Sequence, residues 1–138
     1  MDFRDIPVPF HDYLGIRVVR TGSPARLELD LGEHVRGAVA PIHGGVAASL
    51  VDVACGAAVS EEDLDPLTTL PVSTDLSLRF FRQPGTSPLV AEATVVHRGS
   101  RLVVAECVVT DGAGKQVARG GGSYLLVTGF HDHSRTDG

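Results

Sequence analysis

The chain has 138 residues, 43% hydrophobic and 21% charged, which sets one globular domain with a real core and excludes a disordered chain. A formal net charge of −5 and a pI near 5.6 exclude a general nucleic-acid binder, although local arginines can still hold a phosphate. The two cysteines, Cys55 and Cys107, belong to no CxxC pair and read as buried, inert thiols among small apolar neighbours.

The opening stretch MDFRDIPVPF is acidic and broken by proline, without the apolar run of a signal peptide, so the expected location is the cytoplasm. Phe10 to Gly15 predicts a short helix with Phe10 and Leu14 on one face and Gly15 at its end. His11 is expected at its surface. Ile16–Arg20 and Ala25–Leu31 predict two strands joined by Thr21–Pro24. In the second, Ala25, Leu27, Leu29 and Leu31 alternate with Arg26, Glu28 and Asp30, the pattern of a half-buried antiparallel strand.

The run after Gly44-Gly45, VAASLVDVACGAAVS, is apolar on every side except for Asp52 and predicts a buried central helix over Gly45–Ser60. Its length is about 24 Å, too short to cross a membrane. The glycine pair leaves unpaired backbone N–H groups at the helix start. A lone carboxylate on such a helix costs several kcal/mol unless it is paired, bonded or protonated. Asp52 is therefore either a structural residue satisfied by a neighbour or a functional carboxylate. It lies seven residues after Gly45, about 10 Å along the axis, too far to share one reacting carbonyl with the amides of its own helix. A second copy of the chain must supply one of the two, which predicts a site shared across a symmetric dimer.

Glu61–Thr69 reads as an acidic loop. Val72–Phe81 reads as a strand with Val72, Thr74, Leu76, Leu78 and Phe80 on one face and Ser73, Asp75, Ser77 and Arg79 on the other. Leu89–Arg98 and Arg101–Asp111 predict a hairpin turning through Gly99-Ser100 as a type II′ turn. That turn gathers His97, Arg98 and Arg101, either a phosphate-binding cluster or a solvated basic tip. The last strand, Lys115–Val127, contains Gly120-Gly121-Gly122, which predicts a bulge or a close backbone approach. Gly129–Gly138 is expected to be a disordered tail, and its His131 and His133, lacking a third ligand, do not read as a metal site. The element order predicts an α+β domain over residues 1–128, five or six antiparallel strands wrapped around one long helix.

His43-Gly44-Gly45-Val46 followed by Ala47-Ala48-Ser49-Leu50-Val51-Asp52 resembles the signature of hotdog-fold thioesterases of the phenylacetic-acid-degradation type. Val72-Ser73-Thr74-Asp75-Leu76-Ser77-Leu78 resembles that family's strand block after the helix, and Arg82 and Pro84 sit near where the block ends. The resemblance runs from about Phe10 to Val127 and implies a hotdog fold and hydrolysis of acyl-CoA thioesters with an aromatic or short-to-medium acyl group. It implies that the Gly45 amide polarises the carbonyl and that Asp52 of the partner chain acts as general base or nucleophile. His43 orients the Gly-Gly loop or touches the thioester, and the Ser73 hydroxyl contacts the carboxylate or water. Gly44, His97, Arg98 and Arg101 are the expected contacts to coenzyme A, which enters as part of the substrate; no metal or redox cofactor is implied. A homodimer is the minimal unit, a homotetramer is expected, and neither nucleic acid nor membrane is a partner. One departure stands out: relatives carry Asn six residues before the signature His, where this chain has Gly37. Arg36 and His34 are the residues at hand to replace it. A non-catalytic acyl-CoA-binding hotdog protein is the alternative, and a hotdog hydratase a weaker one.

Overall fold

The apolar run forms α2 (Gly44–Val59), one residue ahead of the expected span. Most of its side chains are buried, Leu50, Val51, Ala54, Cys55 and Ala57 completely. The structure, a computed structural model, describes residues 3–60 and 68–128. The expected C-terminal tail and most of the expected acidic loop lie outside the described residues.

Around α2 runs one six-stranded antiparallel sheet: β1 (Ile16–Arg20), β2 (Ala25–Leu29), β3 (Thr69–Phe80), β4 (Leu89–Arg98), β5 (Leu102–Thr110) and β6 (Gln116–Thr128). Its order is β1-β2-β4-β5-β6-β3, and α2 packs against every strand from β2 to β3. This is the hotdog architecture. A short helix, α1 (Pro9–Leu14), precedes it, opened by proline and closed by Gly15 at φ 77, a left-handed conformation that glycine adopts without strain.

Two bulges change which side chains face the helix. In the β3–β6 ladder Ser73 pairs with Tyr124 but Asp75 pairs with Ser123, so Thr74 is an extra residue. One extra residue reverses the pleat, and directly paired residues share a face. Ser73 therefore lies on the helix side with Leu76, Leu78 and Phe80, while Val72 turns outward, correcting the strict alternation expected of this strand. In the β4–β5 ladder Val95 pairs with Ala105 and His97 with Val104, so Val96 is extra. That reversal turns Arg98, paired with the fully buried Val103, toward the helix and His97 away from it.

The hairpin between them also differs from expectation. β4 ends at Arg98 and β5 begins at Leu102, with the Gly99 N–H donating to the Leu102 carbonyl at 2.8 Å. Gly99 is not among the positive-φ glycines, so the turn is not type II′. The three glycines of β6 do mark a close approach, and it is to neighbouring strands of the same sheet. A Cβ on Gly122 would lie 2.6 Å from the Asp75 carbonyl oxygen; on Gly120 and Gly121 it would meet those of Ser77 and Ala105.

The turn after β5 is held by Asp111, 3% exposed, whose carboxylate accepts the N–H groups of Gly85, Ala113 and Lys115 at 3.1, 3.0 and 3.1 Å. These donors, Gly85 foremost, hold its carboxyl below the usual carboxylate range. Its contribution to stability is therefore present above about pH 3.8 and is lost as the pH falls further.

Candidate active site

The helix start is assembled by hydrogen bonds that fix the chain entering it. The Gly37 N–H donates to the Ala40 carbonyl at 3.0 Å and the His43 N–H to the Val35 carbonyl at 2.7 Å. The Ile42 N–H donates to Gln83 Oε1 at 3.0 Å, tying this entry to the chain beyond β3. His43 is the N-cap: its Nδ1 accepts the Gly45 N–H at 2.9 Å. That acceptor role leaves the proton of the neutral ring on Nε2. A Cβ at Gly45 would come within 3.0 Å of Nδ1, so the missing side chain makes room for the ring. The Gly45 amide is thus occupied by His43, while the Gly44 amide has no partner among the described residues.

Beside this helix start is a depression of about 450 Å³, walled by Phe10, Leu14, Val35 and Val46, with His34, Arg36, His43 and Ser49 as its polar groups. His34 and Arg36, the residues at hand to replace a side chain at Gly37, both line it. His34 Nε2 is 3.0 Å from the Leu14 carbonyl and Arg36 pairs with Glu33 at 2.9 Å. Gly37 itself lies against the signature loop: a Cβ there would be 3.3 Å from the Ile42 carbonyl oxygen.

Asp52 lies on the one stripe of α2 that the sheet leaves uncovered. Gly44 and Gly45 are exposed and Ala48, Ser49, Asp52 and Val53 partly so, while the rest of the helix to Val59 is buried. No ion pair engages the Asp52 carboxylate among the described residues. It is held instead by Tyr124 on β6, whose hydroxyl lies 2.9 Å from Asp52 Oδ1 and 3.0 Å from the Asp52 carbonyl. Burial, and then the neighbouring Cys55 and Asp52, push the Tyr124 phenol well above the ordinary tyrosine range, so it keeps its proton and remains a donor. Ser73, turned inward by the bulge, is the ladder partner of Tyr124 and shares its face.

Two further placements add to this picture. His11 on α1 is half-buried rather than exposed. Burial lowers its imidazole pKa, and the charges of Asp12 and Asp52 partly oppose that. Cys55 lies against both Tyr124 and Cys107, and the Cys55 contact together with burial pushes the Cys107 thiol far up, in keeping with an inert pair.

The predicted site residues thus fall into groups. His43, Gly44 and Gly45 form the helix start, Asp52 is bonded to Tyr124, and Ser73 is the ladder partner of Tyr124. Arg98 is elsewhere: its guanidinium donates to the Val59 carbonyl at 3.4 and 3.5 Å, at the opposite end of α2. His97 and Arg101 are exposed near the same end. A larger trough, about 720 Å³, lies on the outer face of the sheet over Asp75, Ser77, Arg79 and Arg119, away from the helix stripe. Sequence reasoning missed Tyr124 and set His11 aside. Tyr124 left one signal, a lone phenol in an apolar strand just past three glycines.

The model of the thioesterase superfamily matches residues 42–118, more than half of the chain. A protein of Halobacterium salinarum provisionally named an esterase is 39% identical over 91 residues, 62% of this chain and 60% of that relative. The chain thus spans about 60% of the length of the curated relative it matches. A Bacillus halodurans protein whose crystal structure is with CoA is similar at 26% identity and a TM-score of 0.76, over 90% of this chain and 79% of that one. A substituted thioesterase of Staphylococcus aureus superposes with a TM-score of 0.80 over 87% of this chain and 99% of that one. Its 13% identity makes this a likeness of fold alone.

Proposed function

The chain belongs to the thioesterase superfamily, and we propose that it hydrolyses acyl-CoA thioesters with an aromatic or short-to-medium acyl group. The observation that carries this reading is the open stripe of α2. Along it stand the Gly44 amide at the helix start and, about 12 Å on, a carboxylate held by no cation among the described residues. One helix cannot bring both to one carbonyl. Two helices running antiparallel about a two-fold axis can, each Asp52 facing the other copy's Gly44-Gly45. The unpaired outer edge of β3, with Val72, Leu76 and Phe80 exposed, suits such pairing of a homodimer. A homotetramer is two such dimers.

In this reading the thioester oxygen lies against the helix start, where the Gly44 amide and the positive end of the dipole stabilise its developing charge. Asp52 of the partner takes a proton from water, whose oxygen attacks the carbonyl carbon. Collapse of the tetrahedral intermediate breaks the C–S bond, and the coenzyme A thiolate leaves and is protonated. Ser73 is proposed to bond the attacking water. His97 and Arg101 are proposed as contacts of the coenzyme A phosphates, and the CoA-bound Bacillus halodurans relative supports that ligand class.

A second reading, a binder of acyl-CoA without turnover, is favoured by the Gly45 amide being occupied by His43 and by the missing side chain at Gly37. Thiol release from a panel of acyl-CoA esters separates the two. Loss of a general base costs roughly 10²- to 10⁴-fold, so Asp52→Ala should fall by that factor. Tight ester binding by a wild-type chain that releases no thiol establishes the binder instead.

A further inference from the structure

We propose that Tyr124 is the positioning residue for Asp52: its buried hydroxyl donates to Oδ1 and locks the carboxylate in one rotamer on the open stripe of α2. The proposal rests on Asp52 being the catalytic carboxylate. Tyr124 is 2% exposed, and its hydroxyl has two acceptors, Oδ1 at 2.9 Å and the main-chain carbonyl at 3.0 Å, both belonging to Asp52. A carboxylate on a partly exposed helix face otherwise samples several staggered rotamers, which blurs the distance to a substrate held by another chain.

The donor itself is held fast. A Cβ on Gly122 would come within 3.1 Å of Tyr124 Cε2 and 3.4 Å of its hydroxyl, so the glycine leaves space for the ring. On the helix side the ring packs beside Gly56, where a Cβ would be in ordinary contact at 4.0 Å from Cε1. One donor on Oδ1 is also the right number. Asp111, with three backbone donors, has its acceptor sites filled by its own turn. Asp52 keeps Oδ2 without a protein donor among the described residues, open to water or substrate.

The test is Tyr124→Phe, which keeps the ring and removes the donor. Loss of one hydrogen bond to a charged group should lower kcat roughly 10- to 100-fold while KM stays within about twofold. The melting temperature should move little. An unchanged kcat overturns the proposal, and so does a fall in kcat matched by a large fall in melting temperature, which assigns the hydroxyl a structural role.

A second arm needs no turnover. The chain has no tryptophan and two tyrosines, so in a Tyr13→Phe background Tyr124 is the sole emitter. A phenol donating to a carboxylate is quenched, and Asp52→Ala should raise its emission; unchanged emission overturns the contact. A wild-type chain inactive on every ester sinks the catalytic reading of Asp52, and the emission then decides whether Tyr124 holds that carboxylate.

Discussion

The two ends of α2 are built for opposite purposes. At the C-terminal end Ala57, Ala58 and Val59 are buried, and three of the last four carbonyls find donors among the described residues. Ala57 accepts the Gly22 N–H at 3.0 Å, Gly56 accepts the Ser60 hydroxyl at 2.9 Å, and Val59 accepts the Arg98 guanidinium. At the N-terminal end Gly44 and Gly45 are exposed, one amide is capped by the His43 side chain, and the other has no partner among the described residues. Orphan helix-end groups are normally satisfied, and an end left open beside an apolar depression is where the proposed thioester would be held. The closed end carries the stability that the open end forgoes.

Enlarging a side chain at each end tests this division most strongly. Ala57 is fully buried, and Ala57→Leu should destabilise the fold by about 1–3 kcal/mol through overpacking, read as a fall in melting temperature. Ala48→Leu, on the partly exposed stripe, should change stability by no more than about 0.5 kcal/mol yet abolish thiol release by filling the approach to Asp52. Equal destabilisation by both would erase the distinction.

A smaller effect belongs to the cap at the closed end. A cation near a helix C-terminus contributes about 0.3–1 kcal/mol, and the contacts of Arg98 at 3.4 and 3.5 Å from an exposed side chain sit at the low end. Arg98→Ala should lower the melting temperature slightly, less so at high salt, and leave KM for acyl-CoA unchanged. A rise in KM without thermal loss would return Arg98 to the phosphate contacts where its place beside His97 suggested it belonged.

The placement of Arg98 shows what a linear pattern carries and what it does not. The limits of α2 were readable to within a residue because an Ala-rich apolar run of that length, opened by a glycine pair, is too long for a buried strand and fits a surrounded helix. The alternation in β2 was readable for the same reason, one face apolar and one charged. The bulges at Thr74 and Val96 were not. An extra residue reverses the pleat without any change in composition, and only the register with β6 or β5 reveals it. Each bulge then re-aimed a functional candidate, Ser73 to the helix face it shares with Tyr124 and Arg98 toward Val59. Tyr124 was hidden by distance, since it meets Asp52 from 72 residues away. The motif supplied the carboxylate, and the sheet supplied the group that orients it.

The least thermal effect, and the sharpest test of the open end, is expected from Gly45→Ala. Alanine in place of glycine inside a helix gains roughly 0.5–1 kcal/mol, less at a first turn, from the reduced freedom of the unfolded chain. Against that, the new methyl would sit 3.0 Å from His43 Nδ1 and displace the ring that caps the Gly45 amide, a loss of about 1 kcal/mol for an N-cap. The two nearly cancel, so the melting temperature should barely move. Thiol release should nevertheless collapse, because the methyl stands where the thioester oxygen must approach the amides. Mixing the inactive Gly45→Ala and Asp52→Ala chains should then restore part of the activity, since a mixed dimer keeps one site with an intact helix start and an intact carboxylate. No recovery on mixing, with subunit exchange shown by mass, would mean that both groups act within a single chain. The 10 Å between them along α2 would then have to be bridged by the substrate itself.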